Sequence, residues 1–198
     1  MRRRQFLFTA SAIVPMAALI SMARAAEGDG TPMQFMPKAP KDPKPLEREL
    51  EKYPKCPYCG MDRRQWHHSR HLIHYSDDLV DGTCSLHCAA VGLALNLDRG
   101  PQAIYAADFG ATAEPKPLVN VDTAAYLLGS TLPPTMSKVS NMVFSSKEAA
   151  ERAQKDAGGT IVGFDQALAA AYTGMAEDTV MIRKRRAERR AKASQQGH

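Results

Sequence analysis

The 198-residue sequence has no cysteine before residue 56 and none after residue 88. None directly follows the small-residue pattern Ala23-Arg24-Ala25, so the chain is not expected to be lipid-anchored. It also lacks an apolar run of the ~20 residues a membrane-spanning helix needs, since the run from Phe6 to Ile20 is shorter. No basic stripe interleaved with aromatics is present, which argues against a nucleic-acid partner. The formal net charge of +5 belongs to the ends of the chain. Arg2, Arg3, Arg4 and Arg24 lie before residue 26, and residues 183–198 hold seven basic residues against one acid, Glu188. The body between them, Ala26 to Ile182, is acidic, with 15 basic and 20 acidic residues.

What is present at the N-terminus has the order of an export signal. A basic segment, Arg3-Arg4-Gln5-Phe6-Leu7, precedes the apolar run, and Ala23-Arg24-Ala25 offers the small residues read at a cleavage site. The arginine pair suggests the twin-arginine route, so a periplasmic protein is expected. On this reading residues 1–25 are a signal peptide and residues 26–45, with five prolines, a flexible linker. Residues 46–175 form the metal-binding domain, and 176–198 a basic tail.

Within that domain a short helix is expected over Leu46–Tyr53, and strands over 71–75 and 80–84. A helix capped by Ser85 follows, ended by Gly100-Pro101. Further strands are expected at 103–107, 118–121, 124–128, 141–144 and 160–162. Ser145 and Glu148 have the spacing of a capping box for a helix over 147–157. An Ala-rich helix from Phe164 to about Tyr172 leads into a solvated, charged helix. Short strands with a few helices give an α+β fold of two small similar units.

The chemistry concentrates in one segment. Cys56, Cys59, Cys84 and Cys88, with His67, His68, His71, His74 and His87, all fall between residues 56 and 88. Cys56-x-x-Cys59-Gly60 is the shape of a metal knuckle, in which a tight turn aims two thiolates at one ion. Cys84, His87 and Cys88 stand at i, i+3 and i+4 where a helix begins, a spacing that puts all three on one face near the positive end of the helix dipole. Knuckle plus helix start is the arrangement of treble-clef metal sites. His74 and His87 sit on elements near the cysteines and are the better histidine ligands; His67, His68 and His71 read as a basic loop. Thiolates suit zinc, and thioethers shift preference towards Cu(I). Met61, two residues after Cys59, is placed to supply one. Two other readings stay open: a pair of disulfides in an exported scaffold, and a redox Cys-Pro-Tyr-Cys of the glutaredoxin kind.

Cys-x-x-Cys-Gly-Met, read with three later stretches, resembles the NosL family, copper-binding accessory proteins of nitrous oxide reductase. The stretches are Ala125-Tyr126-Leu127-Leu128-Gly129-Ser130, Val143-Phe144-Ser145-Ser146-Lys147-Glu148 and Gly158-Gly159-Thr160-Ile161-Val162-Gly163-Phe164-Asp165. The resemblance covers about residues 53–172. It implies two related β-rich/α units, no catalytic activity, and periplasmic delivery of Cu(I) to a copper-accepting enzyme of the nitrous oxide reductase kind with its assembly machinery. It matches the family's Cys-x-Met to Cys59 and Met61, and a further methionine to Met136. The chain departs from the family pattern at Cys84, His87 and Cys88. These leave open a second, Zn(II)-like site or a single four-thiolate site.

Overall fold

The structure is a computed structural model that describes residues 39–196. The expected signal peptide and the first part of the linker, residues 26–38, lie outside the described residues. The chain forms α1 (Glu49–Lys52), β1 (His71–Tyr75), β2 (Val80–Thr83), α2 (Leu86–Leu95), β3 (Pro101–Ala107), β4 (Leu118–Asn120), β5 (Ala125–Leu128), β6 (Asn141–Phe144), α3 (Lys147–Ala157), β7 (Thr160–Val162) and α4 (Phe164–Gln196). This is α+β, in two antiparallel units. The first sheet has the order β2-β1-β3-β4 and the second β6-β5-β7.

Strand β1 is paired on both edges, with β2 and with β3, and every one of its residues is buried. That double coverage explains why a strand can carry His71 and His74 inside. The two units share one core: Ile73, Tyr75 and Leu86 from the first pack with Tyr126, Val143 and Ala167 from the second. Across the same boundary the His71 Nε2 lies 3.0 Å from the Tyr126 hydroxyl.

Four local expectations change. Ser85 occupies the N-cap of α2 in extended conformation, but its side chain makes no capping bond. The helix also ends earlier than Gly100, at Leu95, where the Asn96 side-chain amide turns back to the Gly92 carbonyl at 2.9 Å. Helix α3 is capped by Ser146 rather than Ser145, its Oγ accepting the Ala149 N–H at 3.2 Å. The Ala-rich and the charged stretches at the C-terminal end form one helix of 33 residues. The Tyr172 hydroxyl ties this helix to α2 by donating to the Ala90 carbonyl at 2.8 Å.

Candidate metal centre

The knuckle is a turn held at both ends. Lys55 and Asp62 form an isolated antiparallel bridge. Inside it the Cys56 N–H donates to the Met61 carbonyl and the Gly60 N–H to the Cys56 carbonyl, both at 2.9 Å. Gly60 takes φ 77°, a left-handed conformation that glycine adopts without a Cβ penalty. The β1–β2 hairpin and then α2 follow in chain order, which makes the arrangement treble-clef-like. Cys84 stands at the end of the hairpin, just before the helix, and Cys88 lies in the first turn of α2.

The topology brings all four thiols together. Each Sγ of Cys56, Cys59, Cys84 and Cys88 lies within 4.8 Å of the others. Cys59 and Cys84 are 3.4 Å apart, and Cys84 and Cys88 3.7 Å. Four sulfurs bound tetrahedrally at ~2.3 Å from one ion stand roughly 3.8 Å from each other, so the set is close to the spacing one soft cation requires. Cys56, Cys84 and Cys88 are buried and Cys59 is exposed. The Met61 Sδ is 3.9 Å from the Cys84 Sγ, and Met61, Tyr58 and Trp66 pack against the buried three.

Charge within the cluster is unevenly distributed. Hydrogen bonds from the Cys84 and Cys88 thiols hold Cys56 far below the ordinary thiol range. The hydrogen bond to Cys56 pushes Cys84 up to about 12. Cys88 is also pushed up, by its bonds to Cys56 and Cys84 and by burial. Hydrogen bonding within the cluster therefore favours the thiolate at Cys56 over Cys84 and Cys88. Further thiolates cannot form side by side in a buried site without a cation to offset them. An entering soft cation displaces the remaining protons.

Two polar networks fix the knuckle. The Tyr58 and Tyr75 hydroxyls both donate to Asp81 Oδ2, at 2.6 and 2.9 Å. Burial raises the Asp81 pKa, and the two hydroxyl donors oppose that rise. Gly92 of α2 lies against this pair: a Cβ there would be 2.9 Å from the Tyr58 hydroxyl oxygen. Behind the knuckle the fully buried Arg63 donates to the carbonyls of Tyr53, His71 and Thr83, and is paired with Glu49 Oε2 at 2.9 Å. Glu49 also holds Arg70 at 2.8 Å. Sequence reading passed over these residues. Tyr58 could have been singled out by its place between the two knuckle cysteines, whereas Asp81 and Arg63 carry no local signal.

The two proposed histidine ligands are not among the residues grouped with the thiols. His74 is turned to the hairpin, its Nε2 3.1 Å from Asp78 Oδ1, and is not grouped with the thiols. His87 lines a groove of about 450 Å³ between α2, α4 and the 137–141 loop. The i, i+3, i+4 argument placed it with Cys84 and Cys88, but Cys84 precedes the N-cap, so helical spacing does not relate it to His87. Met136 is 42% exposed, in a left-handed conformation (φ 57°) on the loop before β6. His71, read as part of a basic loop, is fully buried between the two units.

The Cys-x-x-Cys segment does not open a helix, which is where the redox version of the motif sits. All four cysteines are free thiols. Among known proteins, one solved structure similar to the chain is the copper chaperone NosL from Shewanella denitrificans. It is 22% identical with a TM-score of 0.47, over 56% of this chain and 87% of that one. No curated protein matches. The sequence profile described as NosL matches residues 47–172, a span that holds the knuckle, the hairpin, both sheets and the first two turns of α4, and the chain belongs to the NosL family.

Proposed function

We propose that this protein is an exported, non-enzymatic Cu(I) carrier that works in the periplasm and hands its ion to a copper-accepting metalloenzyme of the nitrous oxide reductase kind. The observation that carries the reading is the asymmetry of the sulfur cluster. Three buried thiols, with a thioether 3.9 Å from one of them, face a single exposed thiol, Cys59. Soft sulfur ligands select Cu(I), and a ligand reachable from solvent lets an incoming donor replace it before the buried ligands release. Membership of the NosL family supports the same reading.

The regular spacing of the four thiols favours a second reading, a structural Zn(II) site closed on all sides. Metal titration of the reduced protein without oxygen separates the two. A carrier takes up one Cu(I) and transfers it to a competing soft chelator, with Met61→Ala weakening retention by about tenfold. Zn(II) held tightly and indifferent to Met61→Ala would overturn the carrier reading. Transfer to the apo form of a nitrous oxide reductase, measured as copper content of the acceptor, tests the proposed recipient.

A further inference from the structure

The last third of α4 makes no use of the core. Residues 182–195 are exposed throughout, and seven of those from Arg183 to Lys192 are basic: Arg183, Lys184, Arg185, Arg186, Arg189, Arg190 and Lys192. One acid, Glu188, stands among them. At 1.5 Å per residue the stretch from Arg183 to Gln196 is about 21 Å long, projecting as a continuation of the helix anchored by Tyr172.

This arm is not folded by its own sequence pattern. Successive residues of a helix are 100° apart, so the seven cations surround it and leave no apolar face to pack on the body. Arg185 with Arg189 and Arg186 with Arg190 are like-charged neighbours at i, i+4, and Arg183–Arg186, Arg186–Arg189 and Arg189–Lys192 at i, i+3. These repel, and only Glu188 offsets them. The body has the opposite sign, 15 basic against 20 acidic residues over 26–182. The molecule is therefore a charge dipole with its positive pole on a rod.

We infer that this arm is an electrostatic docking element for an anionic lipid surface. The opposite signs of arm and body mean that such a surface attracts the arm and repels the body, so the molecule would dock arm first with its thiol cluster left free. A lipid surface reads total charge rather than a face, which suits cations spread around the whole helix. A groove on a protein partner would be met by a stripe. Nucleic acid is disfavoured, because residues 173–196 contain no aromatic side chain to stack on bases. The attachment is peripheral: no helix among the described residues is long and apolar enough to cross a membrane. Clusters of this size bind acidic headgroups through added Coulomb attraction that decays within a Debye length.

The test is co-sedimentation of the mature chain, residues 26–198 without the expected signal peptide, with vesicles. Binding is expected to phosphatidylcholine vesicles containing about 30% phosphatidylglycerol, not to phosphatidylcholine alone. It should weaken at least about tenfold between roughly 50 and 300 mM NaCl, as screening shortens the Debye length. Glu at positions 185, 186, 189 and 190 together (R185E, R186E, R189E, R190E) should abolish it, while R185K, R186K, R189K and R190K should retain it. Since these side chains are exposed, both variants should keep the circular dichroism and thiol titre of the parent. Failure of the parent chain to bind anionic vesicles at low salt overturns the proposal, as does equal binding to neutral vesicles. Loss of binding in the lysine variant would also overturn it, because it would mark geometric recognition of guanidinium by a protein or nucleic acid.

Discussion

At the residue scale, one thiol of the cluster reaches solvent and three are enclosed, which gives them different parts in holding an ion. Spacing alone grouped Cys56 with Cys59 and Cys84 with Cys88, but burial separates the exposed Cys59 from the other three. Cys59→Ser should therefore leave the protein folded and able to retain an ion on three thiols, with faster exchange. Cys56→Ser removes one of the buried thiols and should lose the ion, read as metal retained after gel filtration with a competing chelator. Met61 follows Cys59 by two residues in sequence, and its Sδ lies 3.9 Å from the Cys84 Sγ, across the knuckle. Tyr58 illustrates what spacing does not carry. Its hydroxyl donates to Asp81, 23 residues away, and Asp81 is held by a second tyrosine. Tyr58→Phe removes one donor from a buried carboxylate and should cost about 1–2 kcal/mol in urea unfolding of the metal-free protein.

At the element scale, the strands and helices followed from composition and punctuation, because short β-branched and aromatic runs between turn residues have few alternatives. Their ends did not follow so well. Two adjacent serines, Ser145 and Ser146, both have hydroxyls that could cap α3. The Ser145–Glu148 spacing favours the first, yet the chain leaves β6 so that Ser146 takes the extended N-cap conformation, φ −147° and ψ 160°. Ser146→Ala is expected to cost about 1 kcal/mol of stability by removing an acceptor from the first turn, and Ser145→Ala much less. Thermal unfolding of the two variants side by side decides between them. The contact of Gly92 in α2 with Tyr58 and Asp81 was likewise invisible in sequence. This glycine looks like a weak point in a helix, and the structure shows a contact surface instead. Gly92→Ala, normally favourable in a helix, is expected to destabilise by about 1–3 kcal/mol, since the added methyl meets the Tyr58 hydroxyl and the Asp81 carboxylate. A rise in the unfolding midpoint of this variant would show that the knuckle moves away at little cost.

At the scale of the whole molecule, the two units appear in the sequence as two runs of strands and helices, but nothing there says how they meet. They meet through a shared core and through His71, whose ring lies between the Ser69 carbonyl and the Tyr126 hydroxyl, both at 3.0 Å. Burial lowers the His71 pKa from 6.5 to about 4, with the bond to the Ser69 carbonyl opposing that shift. The folded protein therefore keeps this imidazole neutral where the unfolded chain begins to protonate it. Stability from this group is fully present above about pH 6.5 and declines as pH falls towards 4, where the folded form also accepts the proton. Integrated over that window the loss amounts to about 3 kcal/mol. Other groups titrate in the same range, so the contribution of His71 is isolated by difference. In the metal-free protein, urea midpoints measured between pH 7 and pH 4.5 should fall steeply for the parent chain. They should fall less steeply for His71→Gln, which keeps polar contact with Tyr126 and cannot ionise. Parallel slopes for the two proteins would mean that the units do not rely on a neutral His71 at their junction, and that the shared apolar core alone holds them together.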